Sequence, residues 1–236
     1  MASSSLKQFL VLYLMPEKCY EKLLVNFDFH APCLVFVLRK IFSFWIMLDA
    51  LFAQLSQLLK VLWTGSAEGL SLTAALLQLY AFSCPVVYGV ASNFPVIAWG
   101  ERLFVVCQTA LMVFLILHFR GRSLSGLLLL SVFSGSMFLL GSFATTEVLS
   151  ALQASTSAAI VLSKAAQVAA NHTIGHTAHL STTSVLLTWM ASLGEAFISM
   201  QDSGVSLTTL TFTVSACLSC VLLAQVLSSS PKLKGD

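Results

Sequence analysis

Charge is what this chain has least of: 9% of its 236 residues are Asp, Glu, Lys or Arg, against roughly 25% in a soluble globular protein. Beside that scarcity, 57% of the residues are hydrophobic, which excludes an ordinary soluble fold and makes the bilayer the implied solvent. A net charge of +2 without a basic cluster gives no support for nucleic-acid binding. Catalytic groupings are missing as well: there is no glycine-rich phosphate loop, no carboxylate pair on one helix face and no nucleophile beside a base. Glu147 and Asp202 stand too isolated to handle a metal and a sugar phosphate as a glycosyltransferase would. The expectation is a non-enzymatic protein without a cofactor.

What the chain has is apolar length. A hydrocarbon core of about 30 Å needs roughly 20 mostly apolar residues per helix. Seven such runs occur, at about 41–62, 70–90, 101–119, 124–143, 147–169, 180–200 and 205–228. An all-α bundle of seven transmembrane helices is predicted, because a lipid-exposed helix satisfies its own backbone. Residues 1–40 carry a short apolar run, Phe9 to Met15, stopped by Pro16-Glu17-Lys18, with no small-residue cleavage site. They read as an interfacial segment rather than a cleaved signal.

Lys and Arg in short loops set orientation. Lys60, Arg120, Arg122, Lys164, Lys232 and Lys234 fall on one side, and Arg102 on the other. The C-terminus is therefore expected in the cytoplasm, although Lys18, Lys22, Arg39 and Lys40 of the first segment count the other way. Lys232 and Lys234 also have the spacing of a dilysine retrieval signal, which is read only in the cytoplasm. Cys84, Cys107, Cys217 and Cys220 lie in spans as small apolar residues, and Cys217-x-x-Cys220 reads as a helix face. Cys19 and Cys33 are expected as thiols, with a disulfide as the alternative that a luminal segment permits.

An offset of 110 residues superposes Gln57 on Gln167, Gly65 on Gly175, Leu70 on Leu180, Ser71 on Ser181 and Thr73 on Thr183. Each copy opens a set of three spans, and the leftover fourth span restores the direction of the second set. Transporters built from parallel repeats place their site between the halves. A glutamine ending the first helix of each of two three-helix repeats resembles the PQ-loop family. The family's prolines are replaced by Ser56 and Ala166. Within the family, "LMPEKCYEKLLV" (14–25), "GSAEGLSL" (65–72), "SNFPVIAWGE" (92–101), "HFRGRS" (118–123) and "NHTIGHTAHLS" (171–181) resemble the branch needed to use mannose-P-dolichol.

The resemblance implies a SWEET-like plan: repeat 1 at 41–119, a linker helix at 120–146, repeat 2 at 147–228 and a cytoplasmic tail at 229–236. It also implies a location in the endoplasmic reticulum membrane. The implied role is luminal use of dolichol-phosphate mannose and glucose in N-glycan, GPI-anchor and protein-mannosylation pathways, with those lipids and the pathway glycosyltransferases as partners. The alternative is a SWEET- or cystinosin-like carrier of a small solute, a reading that the two missing prolines weaken.

Charges inside spans are functional candidates, because each costs about 2.5–3.5 kcal/mol on insertion scales. Asp49 and Lys164 sit in equivalent first helices and would pair if those helices face each other; otherwise Lys164 snorkels to the interface. Glu195 stands where relatives of the family often carry an arginine. Gln57 and Gln167 are expected to bond between helices, or to line a shared polar seam. Arg120 and Arg122, with Lys164, are candidates for the basic mouth of a lipid groove. The fifth span, rich in Ala and Ser, reads as a closely packed central helix. His172, His176 and His179 have ligand-like spacing, but Gly175 interrupts them and no acid or thiol accompanies them, so no metal is expected. Asn171-His172-Thr173 is a glycosylation sequon that the loop count places in the cytoplasm, unmodified.

Overall fold

A computed structural model describes residues 7, 8, 10, 11, 15–67, 69–174, 181–204 and 206–229. Lys232, Lys234, His176 and His179 lie outside them. Among the described residues all regular structure is helical, and seven helices are long and apolar enough to cross a membrane. They are α1 (Ala31–Thr64), α2 (Leu72–Ala91), α3 (Val96–Phe119), α4 (Ser123–Phe143), α5 (Thr146–Ile174), α6 (Thr182–Ser203) and α7 (Leu207–Ser229). The membrane reading and the helix count stand.

The start of α1 differs from expectation. It begins at Ala31, with His30 extended before it and proline in its first turn, so ten residues assigned to the interfacial segment belong to the span. Arg39 and Lys40 therefore lie inside the helix. Arg39 pairs with Asp202 near the end of α6, Nη1 to Oδ1 at 2.8 Å, and a helix of 34 residues has length to spare. Before α1, Glu17–Tyr20 and Glu21–Val25 form a short helical stretch. It is tied to the start of α1 by a Cys19–Cys33 disulfide, so the alternative reading of that pair is the one realised.

Six helices close a ring by neighbour packing in the order α1, α6, α7, α5, α2, α3 and back to α1. The α4 helix packs outside the ring, against α3 and α2. Its outward residues Leu124, Val132, Phe138 and Phe143 are exposed, as a helix apolar all round should be when lipid covers one side. At one end of the ring Leu58, Val61, Leu79, Val113, Ile116 and Val226 pack into a buried apolar plug.

The α1–α6 joint is close. A Cβ added at Gly194 would lie 2.9 Å from Phe42 Cβ, and the Phe42 and Phe197 rings meet with centroids 5.2 Å apart. Gly194→Ala is therefore expected to cost about 1–3 kcal/mol by overpacking, read as a lower melting temperature in detergent. An unchanged melting temperature would show that the joint opens freely.

Candidate functional site

The ring encloses a cavity of about 830 Å³. Its floor is apolar, made by Met112, Ile116, Val185 and Leu222 of the same buried cluster as the plug. Polar groups are set among the apolar ones of its walls: five glutamines (Gln54, Gln57, Gln78, Gln153, Gln167), three acids (Asp49, Glu101, Glu195) and two cations (Arg102, Lys164) line it. The far end carries Glu101 and Arg102, both exposed.

Of the residues singled out in the sequence, Asp49, Gln57, Lys164, Gln167 and Glu195 all line this one cavity. Arg120 and Arg122 do not. Arg120 donates from Nη2 to the Leu70 carbonyl at 2.9 Å, tying the α3–α4 turn to the α1–α2 loop, and Arg122 is exposed at the start of α4. Lys164 is 7% exposed in the interior, so the three cations form no common basic mouth.

Lys164 neither snorkels nor hydrogen-bonds to Asp49. Its ammonium donates to Ser192 Oγ at 2.6 Å and Ser215 Oγ at 2.7 Å, two hydroxyls from α6 and α7. Asp49 Oδ1 accepts from Thr188 Oγ1 at 2.7 Å. Both Asp49 and Glu195 lie near enough to feel the Lys164 charge, and Glu195 also feels Arg102. Lys164 and Asp49 are thus each held by hydroxyls rather than by one another.

The glutamines act across the ring. Gln57 Oε1 accepts from the Ser181 N–H at 2.8 Å, and Gln167 Oε1 accepts from the Ser71 N–H at 3.0 Å. Ser71 and Ser181 are the N-caps of α2 and α6, and each hydroxyl accepts from a backbone N–H three residues on. A buried N-cap leaves its own N–H to be satisfied by another partner. Here α1 supplies that partner to α6, and α5 supplies it to α2. Gln167 Nε2 further donates to the Gly69 carbonyl and to Asn171 Oδ1, both at 2.8 Å. The two glutamines therefore bond between helices and line the seam as well.

Asn171 is 3% exposed, and its Nδ2 donates to Gln225 Oε1 at 3.2 Å. A side chain committed at both ends inside a helix offers no amide to a glycosylating enzyme, so the sequon reports burial rather than sidedness. Endoglycosidase digestion is expected to leave the mobility of the expressed protein unchanged. A shift abolished by Asn171→Gln would overturn this placement.

Sequence reasoning missed three features. Residues Asp49–Ala53 wind as a π-helix inside α1 and place Asp49, Ala50 and Ala53 on the cavity wall. Such single π turns often sit at functional positions. Pro85 breaks the bonding ladder inside α2 and also lines the cavity, so the ring has a kink-forming proline even though both motif prolines are missing. Arg102, weighed only for orientation, belongs to the cavity; its position near the start of an apolar span was the available signal. Comparison with known proteins returns no family model and no solved structure that matches this chain.

Proposed function

We propose that the protein is a non-enzymatic, multi-pass protein of the endoplasmic reticulum membrane that holds the head group of dolichol-phosphate mannose and dolichol-phosphate glucose. It thereby makes these donors usable in the lumen for N-glycan, GPI-anchor and protein-mannosylation pathways. The observation that carries this reading is a cavity within the helix ring whose lining sets five glutamines, three acids and two cations among apolar side chains. A hexose presents hydroxyls that each donate and accept, and carboxylates with carboxamides match them. Asp49, Glu195 and the five glutamines supply both kinds of group, and Arg102 at the rim supplies positive charge for a phosphodiester. The motifs resembling the mannose-P-dolichol branch supply the identity of the lipid.

The two sets of three helices are read as parallel PQ-loop repeats, with α4 as the inverting linker. In support, the 110-residue offset carries the helix start Leu72 onto the helix start Thr182, and the start Val96 to within one residue of the start Leu207. The reciprocal glutamine bonds obey the same offset. A disulfide belongs to an oxidising compartment, so Cys19–Cys33 supports a luminal N-terminus and hence a cytoplasmic C-terminus.

A second reading, a carrier for a small solute, is favoured by the combination of Pro85 and the π turn in the cavity wall, where a helix can bend, and by the excess of acids over cations, which suits a neutral or cationic solute. Expression in cells that make but cannot use dolichol-phosphate mannose separates the two. Recovery of full-length lipid-linked oligosaccharides and of surface GPI-anchored proteins together is the expected result. Failure with correct localisation would remove the lipid reading and leave the carrier.

A further inference from the structure

Of the six joints in the ring, the one between α1 and α3 is the least extensive. Along Ala31–Leu48, α1 packs on α6, whereas α3 meets α1 substantially only from Asp49 to Thr64. The upper halves of α1 and α3 thus flank a cleft on the side of the disulfide. The α4 helix packs on α2 and α3 and leaves that cleft uncovered. Apolar side chains near it are exposed: Phe44 and Met47 on α1, Leu103 and Phe104 on α3. In a membrane those surfaces face acyl chains. Arg102 stands at the same level of α3, lines the cavity, is exposed, and makes no hydrogen bond or ion pair to any described residue.

The deep cavity is a poor place for a phosphate. Lys164 already donates to two serine hydroxyls, so the interior offers carboxylate and amide acceptors rather than free positive charge. An uncharged polyhydroxyl group fits there. The guanidinium at the rim has a fork of unused donors, the arrangement that suits a phosphodiester.

From this we infer that the α1–α3 cleft is a lateral door for a lipid-linked sugar phosphate. The sugar lies inward toward Asp49, Gln54 and Glu195, the phosphodiester is held by Arg102, and the polyisoprenyl chain leaves through the cleft into the bilayer. The inference rests on the proposed lipid ligand and adds where its three parts sit. It requires no large ring opening, because the chain never enters the cavity.

The test uses the full chain in phosphatidylcholine vesicles, with a short-chain polyisoprenyl-phosphate mannose carrying a photoactivatable group in its isoprenoid portion. Adducts competed by unlabelled lipid are expected on residues 31–48 and 96–105. Arg102→Gln is expected to reduce competed labelling about tenfold, and Arg102→Lys much less, as loss of one charge-assisted contact implies. Competed adducts concentrated on α5 and α7 would overturn the door while leaving the lipid reading intact, as would Arg102→Gln labelling at the wild-type level. No competed adduct anywhere would overturn both.

Discussion

Lys164→Met is expected to abolish rescue of dolichol-phosphate mannose use and to lower stability by about 3 kcal/mol. Methionine keeps most of the volume and removes the charge, so packing changes little. What it leaves behind is Asp49 and Glu195 without their nearest cation, in an interior where removing one member of a buried charge group costs about 3–5 kcal/mol. The Ser192 and Ser215 hydroxyls also lose the donor they share. Water in the cavity offsets part of this, which places the estimate at the lower end of that range.

Two companion variants separate stability from function. Asp49→Asn, Lys164→Met and Glu195→Gln combined remove all three charges and are expected to regain most of the lost melting temperature, because no carboxylate is stranded. Rescue should remain absent, since the acceptors for sugar hydroxyls are altered. Lys164→Arg keeps the charge but replaces a compact ammonium with a planar fork that does not fit between two serine oxygens at 2.6 and 2.7 Å. It should fall between wild type and methionine in both readouts. A fully active, fully stable Lys164→Met would refute the role of the cluster.

How much of this was readable beforehand depends on which physical rule was in force. The spans were legible because a bilayer demands apolar length, and Lys164 was legible because charge there is costly. Gln57 and Gln167 were legible because they recur at one offset with Ser71 and Ser181, although the crossing of their bonds between the two sets was not. The π turn at Asp49–Ala53 has no mark in "DALFA", since one extra residue in a helical turn depends on packing rather than on local propensity. The start of α1 at Ala31 was not legible, since Arg39 is accommodated there by a partner 163 residues away. Arg120 was assigned to a basic mouth on residue type alone, and the Leu70 carbonyl uses it instead. A cavity is a property of six helices closing a ring, and no stretch of one helix encodes it.

Gln167→Leu is expected to cost about 2–3 kcal/mol and to loosen the plugged end of the ring. Three bonds disappear together: the acceptor for the Ser71 N–H and the donors to the Gly69 carbonyl and Asn171 Oδ1. Hydrogen bonds between membrane helices average about 0.6 kcal/mol by double-mutant cycles, and an orphaned buried group costs about 1–3 kcal/mol, so three shared bonds bracket that figure. Gln167→Glu sharpens the test. It preserves the acceptor toward Ser71 but, when ionised, sets a carboxylate oxygen against two oxygen acceptors, so it should be at least as damaging as leucine despite being isosteric. Loosening has its own readout in Val61→Cys. Val61 is fully buried in the plug, and a thiol there should react slowly with a membrane-impermeant maleimide in the wild-type background and several-fold faster with Gln167→Leu. Because Gln57 and Gln167 close the same end from opposite helices, the loss in Gln57→Leu with Gln167→Leu should be smaller than the sum of the single losses: once one crossing bond is gone, the other holds less. Strict additivity with no change in Val61→Cys labelling would mean that the two glutamines cap α6 and α2 independently and do not together keep that end shut.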